Sequence, residues 1–86
     1  MPVTITLIGK PECHLCDDAR AVVAEVVEQS VDTVFEEVSL EDNPLWEELY
    51  GELIPVVLVN GAEHAHWRVD KDQLANAINL ALAEAS

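Results

Sequence analysis

The two cysteines of this chain, Cys13 and Cys16, lie three positions apart in the segment GKPECHLCDDA, which spans residues 9–19. On a helix this spacing brings two sulfurs within bonding reach, so the pair could pass two electrons as a dithiol. The same two side chains could also supply thiolates to a zinc or copper ion. The first question is therefore whether the segment is a redox dithiol or part of a metal site.

The cysteine count favours reactivity over a structural role. Small secreted domains that depend on disulfides carry about four to eight cysteines, whereas this chain has two. A bridge between residues 13 and 16 would close too short a loop to restrain much chain entropy. A chain of 86 residues can bury roughly 60–65% of the surface its unfolded form exposes. We therefore expect residues 1–86 to fold as one domain without a cross-link.

A helix that begins at the first cysteine would suit dithiol chemistry. The unpaired N–H groups of a helix N-terminus and the positive end of its dipole stabilise a thiolate, and Cys13 is placed to benefit. Lys10 adds a nearby positive charge, whereas Glu12 and the two aspartates that follow Cys16 oppose it. The spacing predicts that Cys13 attacks a disulfide and that Cys16, one turn further on, releases the product.

The elements that would position this dithiol follow from the periodicity around it. An alternating, β-branched run over residues 3–8 predicts a strand that ends at Gly9, directly before the cysteines. Residues 33–40 predict a second strand, and its two consecutive glutamates favour an edge position. Between them, apolar residues at helical spacing predict a helix over 14–29, with a buried face formed by Ala19, Val22, Val23, Val26 and Val27.

A short helix and a buried strand are predicted next. Asn43 and Pro44 are a typical N-cap and first-turn pair, and Gly51 is placed to end that helix. The apolar run over residues 54–59 then predicts a buried strand. Pro55 removes a ladder donor, so it belongs at the start of this strand, where neighbouring backbone groups stay free to pair with something else.

The chain is predicted to close with a hairpin and a third helix. Asn60 and Gly61 favour a type I′ turn, and residues 63–69 predict the return strand. Asp70 is expected to cap the last helix, whose inner face would be formed by Leu74, Ala77, Ile78, Ala81 and Leu82. The order is β-α-β-α-β-β-α, with the first two strands parallel and the last two antiparallel.

The aromatic side chains are predicted to pack in or against the core; they are Phe35, Trp46, Tyr50 and Trp67. A second interpretation stays open for Trp46, since Leu45 and Leu49 stand beside it on the short helix. Those three residues could instead contact a partner.

The charge balance restricts the kinds of partner. Seventeen acidic and four basic residues give a formal net charge of −13, which argues against nucleic acid or an anionic membrane. No stretch reaches the roughly 18 apolar residues of a membrane helix, and no signal peptide is visible. We therefore expect a cytoplasmic monomer, in a compartment where thiols are kept reduced and disulfides are transient.

Metal binding is the alternative to redox chemistry. The two cysteines could fill a tetrahedral zinc site together with His14, or together with His64 and His66, which are two apart on a predicted strand and would share a face. However, the chain has no second Cys-x-x-Cys to anchor such a site. Redox chemistry is therefore ranked first, without a resident metal or bound cofactor.

These residues together resemble a glutaredoxin. The pattern Cys-x-x-Cys-x-x-Ala-Lys/Arg is matched by Cys13, Cys16, Ala19 and Arg20, and the Lys-Pro lead-in is similar to that of glutaredoxins and of the redoxins that reduce ribonucleotide reductase. The stretch VSLEDNPLWEELYGELIPVVLVNGAE more closely resembles small bacterial glutaredoxin-like proteins without an assigned substrate. The resemblance covers essentially the whole chain. It implies an α/β thioredoxin/glutaredoxin-like fold, a four-stranded mixed sheet with helices on both faces.

The resemblance also implies residue roles. Cys13 would be the attacking cysteine and Cys16 the resolving one, and Pro55 would be a cis proline facing the dithiol. Ile54 would offer its backbone to a bound peptide or thiol, and Lys10 would lie at the substrate site. The partners implied are a protein disulfide as substrate and a thiol or a reductase as electron donor.

The chain departs from the glutaredoxin pattern at two places. His14 and Leu15 stand where glutaredoxins usually have Pro-Tyr between the cysteines. Residues 60–63 (NGAE) occupy the region in which glutaredoxins carry a Gly-Gly and acidic motif that holds glutathione. Glutathione as co-substrate and a thioredoxin reductase as donor are therefore both kept as alternatives.

Overall fold

A four-stranded mixed sheet forms the centre of the computed structural model, which describes residues 2–85. β1 (Val3–Gly9) is parallel to β2 (Thr33–Ser39) and antiparallel to β3 (Val56–Val59), and β3 is antiparallel to β4 (Ala62–His66). The strand order β2-β1-β3-β4 places β1 and β3 in the middle. Both strand directions confirm the prediction, and β2 occupies an edge as its exposed glutamates indicated.

Three α-helices cover the sheet. α1 (His14–Glu28) and α3 (Lys71–Ala85) contribute to a core on one face, and α2 (Pro44–Tyr50) packs on the other. The element order predicted from the sequence is thus confirmed, with helices on both faces. Within residues 2–85, no helix is long and apolar enough to cross a membrane.

Each face of the sheet has its own hydrophobic cluster. The larger one joins β1 and β3 to the two long helices, and its buried members are Val3, Ile5, Leu7, Ala19, Val23, Val26, Val57, Leu74 and Ile78. The smaller one joins Ile8, Leu40, Val56 and Leu58 to the half-buried Trp46 and Tyr50 of α2. The predicted valine face of α1 is confirmed, because Val22 and Val27 also pack against the larger cluster.

The predicted caps and the predicted hairpin turn are present. The Asn43 side chain accepts a hydrogen bond from the Leu45 N–H at 3.0 Å, and that of Asp70 accepts one from the Gln73 N–H at the same distance. Asn60 and Gly61 have φ values of 52° and 85°, as a type I′ turn requires. These local signals act through short-range geometry, which is why the sequence predicts them well.

The structure differs from the predicted boundaries at three places. A 3₁₀ turn over Leu40–Asp42 follows β2, capped by the Ser39 side chain in a capping box that sequence analysis missed. β3 begins at Val56 and not at residue 54, because Pro55 cannot donate to the ladder. β4 ends at His66 and not at residue 69, since Trp67 adopts a φ of 64° and leaves extended geometry.

A β-bulge changes the expected geometry of the hairpin histidines. Val57 lies opposite Ala65 and Leu58 opposite Glu63, so His64 is the extra residue in β4. Glu63 and His66, three positions apart, contact each other at 3.2 Å between Oε1 and Nδ1. The simple alternation used to place both histidines on one face is therefore interrupted at His64.

Candidate active site

Cys13 is the N-cap residue of α1, and it lies just beyond the C-terminal end of β1. Its backbone is extended, with φ −107° and ψ 111°, and its Sγ accepts a hydrogen bond from the Cys16 N–H at 3.2 Å. This side chain is half-buried. Negative charge on Sγ would therefore be stabilised both by this N–H and by the positive end of the helix dipole.

Cys16 has a contrasting environment. The residue is 2% exposed, and both cysteines are free thiols in the structure. Burial raises the pKa of the Cys16 thiol to about 11, and its hydrogen bond with Cys13 acts in the same direction. A backbone hydrogen bond from Lys10 and the charge of Arg20 oppose this shift. Cys16 thus keeps its proton at neutral pH.

Gly9 allows Cys16 to occupy this position. A Cβ atom added at Gly9 would lie 2.9 Å from the Cys16 Sγ and 3.2 Å from its Cβ. Real Cβ atoms do not approach a neighbour at the shorter distance, so any side chain at residue 9 would displace the sulfur. The glycine that ends β1 is therefore part of the site, and it positions the second cysteine.

The loop before Cys13 contains an unusual backbone conformation. Glu12 has a φ of 63°, in the left-handed region that glycine adopts most readily. The strain expected from a non-glycine residue in this region is about 1–3 kcal/mol. Its exposed carboxylate belongs to the residue directly before Cys13. The charge of Glu12 was noted from the sequence, whereas a positive φ at glutamate has no sequence signal.

Arg20 connects the beginning of α1 to β2. Its Nε donates to both carboxylate oxygens of Glu37, at 2.5 and 2.9 Å, and its Nη1 donates to Asp17 at 2.7 Å. These carboxylates raise the already high pKa of the Arg20 guanidinium. Arg20 matches the last position of the Cys-x-x-Cys-x-x-Ala-Lys/Arg pattern. In the structure, the pair between Arg20 and Glu37 connects the dithiol helix to β2, an edge strand of the sheet.

Pro55 lies at the same end of the sheet as the dithiol, beside the C-terminal end of β1. Ile8 is opposite Val56, so the next pair along the two strands is Gly9 and Pro55. The Ile54–Pro55 peptide bond is cis, and the proline side chain is buried. Within residues 2–85, the backbone N–H and carbonyl of Ile54 make no hydrogen bond. Those two groups are therefore available to an extended chain.

Trp67 lies at this same end of the sheet, and its exposure differs from the prediction made from the sequence. It was predicted to pack in or against the core, but its side chain is 52% exposed. Its backbone N–H donates to the Pro55 carbonyl at 2.9 Å, and its indole Nε1 donates to the Glu52 carbonyl at 2.9 Å. The backbone N–H also contacts the Leu53 carbonyl at 3.3 Å, so Trp67 holds the segment before β3 through three carbonyl groups. A positive φ at a tryptophan has no sequence signal.

Two surface cavities flank the dithiol helix. One of about 360 Å³ lies beside Cys16 and is lined by Lys10, Pro11, Arg20 and Asp42, among others. A second groove runs between α1 and the segment before α3, and its lining includes Leu15, Ala19, Val22, Trp67 and Arg68. Of the predicted site residues, Lys10 and Cys16 line the first cavity, and Pro55 follows Gly9 in the register of β3 against β1.

The ligand set for a metal is not assembled in the same way. Among residues 2–85, no three side chains of histidine, cysteine, aspartate or glutamate are grouped closely enough to hold a metal ion. The His64 Nε2 is buried without a hydrogen-bond partner in that part of the chain, and His66 pairs with Glu63.

Comparison with protein families and solved structures agrees with this geometry. The profile of the Glutaredoxin-like domain (DUF836) matches residues 4–79. No curated protein matches the chain significantly. Among solved structures, the chain is similar to protein Ne2328 from Nitrosomonas europaea, at 23% identity and a TM-score of 0.76, over 90% of this chain and 92% of that one.

Two further structures extend the likeness. Protein XcR50 from X. campestris is 26% identical with a TM-score of 0.71, over 88% of this chain and 96% of that one. A mutant thioredoxin from Halobacterium salinarum is 20% identical with a TM-score of 0.68, over 91% of this chain and 73% of that one. The fold is therefore the thioredoxin-like α/β fold.

Proposed function

Because the chain belongs to the glutaredoxin-like family, whose fold supports a redox role, we propose that it is a thiol–disulfide oxidoreductase with Cys13 as nucleophile and Cys16 as resolving thiol. The observation that carries this proposal is the difference between the two sulfurs. Cys13 Sγ accepts an N–H at a helix N-cap, whereas Cys16 is 2% exposed and has a pKa of about 11. A nucleophilic cysteine needs an environment like that of Cys13. A resolving cysteine, which stays protonated until the mixed disulfide forms, needs an environment like that of Cys16.

The reaction proceeds in two exchanges. The Cys13 thiolate attacks one sulfur of a substrate disulfide, which forms a mixed disulfide and releases the other sulfur as a thiolate. Cys16 then gives up its proton and attacks the Cys13 sulfur, so that a Cys13–Cys16 disulfide forms and the second substrate thiolate leaves. The proton from Cys16 balances one released thiolate, and solvent supplies the other. Two electrons pass from the protein to the substrate.

The surroundings of Cys16 favour the second exchange. Once Cys13 is bonded to substrate, its charge is gone, and the hydrogen bond and repulsion that raised the Cys16 pKa are lost with it. The Lys10 backbone contact and the positive charge of Arg20 remain, and both stabilise a Cys16 thiolate. Burial, the largest cause of the raised Cys16 pKa, remains, but two of the other causes that disfavour the thiolate are removed when its attack is required.

The proposed substrate is a protein disulfide presented on an extended segment. Such a segment could pair with the free backbone groups of Ile54 beside Pro55, while Lys10 lines the cavity beside Cys16. The electron donor is a low-molecular-weight thiol such as glutathione, or a reductase. A cytoplasmic location is proposed with it, since that compartment keeps such a dithiol reduced.

The two cysteine roles are tested by serine variants. We expect Cys13→Ser to abolish reduction of a disulfide substrate, and Cys16→Ser to accumulate a mixed disulfide that mass spectrometry detects as one added substrate fragment. The control is the double variant, which should neither react nor trap. Equal, partial losses in the two single variants would contradict the assigned roles.

The electron donor is identified by a separate assay. The oxidised protein is mixed with glutathione plus glutathione reductase, or with NADPH plus thioredoxin reductase, and NADPH consumption is followed. Turnover with one system alone names the donor class. Turnover with neither system, together with an inert Cys13, would overturn the proposed function.

A further inference from the structure

The exposed side of α2 carries two leucines next to carboxylates, and we call Leu45, Glu48 and Leu49 the α2 ridge. We propose that this ridge docks the redox partner, a protein with an apolar patch bordered by lysine or arginine. The proposal deepens the function given above and rests on it. It also favours the second interpretation of Leu45 and Leu49 that the sequence left open.

The geometry of α2 fixes which way the ridge faces. Trp46 and Tyr50 are half-buried and pack against the smaller core cluster. Leu45 and Leu49, four positions apart, are 64% and 62% exposed. Residues at this spacing stand on one side of a helix, so the two leucines form one continuous apolar strip. Because Trp46 and Tyr50 pack inward against the core, Leu45 and Leu49 face outward.

The charges around the ridge determine whether a partner must carry positive or negative charge. From residue 21 to residue 67 the chain contains no lysine or arginine. Five acidic residues lie on α2 or within three positions of it in the sequence, and they are Glu41, Asp42, Glu47, Glu48 and Glu52. Glu48 is exposed between the two leucines. A partner that buries them must bring positive charge close to these carboxylates.

This charge pattern also argues against a second copy of the chain as the occupant. Two molecules with a net charge of −13 would bring acidic surfaces together if their ridges met. The resulting repulsion would oppose burial of the four leucine side chains, most strongly at low salt. The chemistry on the ridge therefore fits a cationic partner and not a homodimer.

The position of the ridge connects it to the dithiol. The chain enters α2 from the end of β2 through Leu40–Asp42, and it leaves α2 towards Pro55 and β3. Both connections lie at the end of the sheet where β1 leads into Cys13. A protein docked on α2 could therefore present its disulfide to the Cys13 sulfur. The patch is small, and small interfaces are typical of the brief encounters of redox proteins.

Exposure of a leucine alone would not single out this surface. Leu80 on α3 is 65% exposed, yet the residues four positions before and after it are Asn76 and Glu84, so no second leucine extends it into an apolar strip. Leu80 is consequently a matched control for the two ridge leucines. Glu84, also exposed on α3, is a matched control for Glu48.

The test uses two synthetic peptides that each carry one internal disulfide and one amphipathic helix. Both helices present leucines four apart; lysines border them in the basic peptide and glutamates in the acidic one. Fully reduced protein is mixed with each peptide, or with a small uncharged disulfide, and the single-turnover rate constant is measured at low salt. No external reductant is needed, because the protein supplies both electrons.

We expect the basic peptide to be reduced at least tenfold faster than the acidic one. The double variant Leu45→Gln/Leu49→Gln should lose about tenfold with the basic peptide, as the loss of two partly buried leucines predicts. It should react normally with the small disulfide. Glu48→Lys should also slow the basic peptide, whereas Leu80→Gln and Glu84→Lys should not. Equal losses in ridge and control variants, or no loss in either, would overturn the docking proposal.

A binding measurement separates failure of docking from failure of the redox function. Versions of the peptides with serine in place of cysteine are titrated into Cys13→Ser/Cys16→Ser protein, and amide shifts are followed by NMR. Shifts confined to α2 and its neighbours, lost with the leucine variant, support docking even if no disulfide is ever reduced. Reduction without any preference between the peptides supports the redox function and rejects the ridge.

Discussion

The regions around Cys13 and Cys16 lie one helical turn apart and differ in almost every physical property. Cys13 is the N-cap, half-buried at the end of a loop in which Glu12 has a positive φ. Cys16 is covered and lies against the Cα of Gly9, with a pKa raised to about 11 by burial. One region leaves a sulfur half-exposed at a helix N-terminus, whereas the other keeps a protonated sulfur buried.

This difference teaches that the shared motif is asymmetric because of its neighbours. At the N-terminus of α1 the Cys13 Sγ accepts the Cys16 N–H, so the helix end stabilises negative charge on Cys13. Desolvation acts on whichever sulfur the sheet covers, and that is Cys16. The following predictions change one side of the comparison at a time, and they run from the largest expected effect to the smallest.

The largest effect is expected from alkaline pH acting on Cys16. Burial raises its pKa from 9.0 to about 11, so the protonated thiol stabilises the fold fully below about pH 9, and this contribution is lost as the pH rises through about 11. Two pKa units correspond to about 3 kcal/mol. Urea unfolding of the reduced protein between pH 8 and 11 should show this loss, and Cys16→Ala should lack it.

The alanine variant is the control for other groups that titrate in that range. Tyrosine and lysine are common to both proteins, so the difference between the two pH profiles isolates Cys16. Parallel profiles would show that the sulfur is not desolvated as described, and the contrast with Cys13 would then disappear.

The second largest effect is expected from Gly9→Ala. The new methyl would lie 2.9 Å from the Cys16 Sγ, and overpacking of this kind costs about 2 kcal/mol of unfolding free energy. The measurement is urea unfolding of the reduced protein. Removing the sulfur in Gly9→Ala/Cys16→Ala should recover much of the loss, whereas additive losses would show that the contact is unimportant.

A smaller effect is expected from Glu12→Gly. Glycine adopts the φ of 63° without a Cβ clash, so we expect a gain of up to about 1 kcal/mol after its greater unfolded-state entropy is subtracted. Glu12→Gln retains the strained backbone and should leave stability unchanged. Both variants remove a carboxylate beside Cys13 and should speed disulfide exchange at pH 7 equally. A rate gain in the glycine variant alone would assign the effect to the backbone.

The smallest effect on stability is expected from Arg20→Gln. Its pairs with Glu37 and Asp17 are exposed, and such pairs contribute little because water and salt screen them. We expect a slight fall in the urea midpoint that vanishes in about 1 M salt, together with slower release from the mixed disulfide formed with Cys13. Arg20→Lys keeps the charge and should preserve the release rate; a loss in that variant as well would assign the role to the bidentate geometry.

Much of the fold could be predicted from the sequence because its signals are local. Asn43, Asp70 and the Asn60 and Gly61 turn each act within a few residues, and the structure contains all of them. The helical spacing of the valines gave the inner face of α1. The edge position of β2 followed from its glutamates, since buried central strands do not tolerate them.

The parts that were missed depend on contacts between distant residues. The end of β4 is set by Trp67, whose backbone bonds to Pro55 and whose indole bonds to Glu52, residues 12 and 15 positions away in the sequence. The bulge at His64 arises from the fit of β4 to β3. The close approach of Gly9 to Cys16 requires the angle between strand and helix. Periodicity carries no information on any of these.

The two tryptophans lie in opposite settings, and this gives the molecule an optical reporter of its own. Trp67 is half exposed and shares a groove with Leu15, the residue directly before Cys16, while Trp46 is anchored in the core beneath α2. A change of bonding at the dithiol alters the surroundings of the first indole and leaves the second almost untouched. Fluorescence from Trp67, isolated by a Trp46→Phe variant, would follow oxidation in real time without a label.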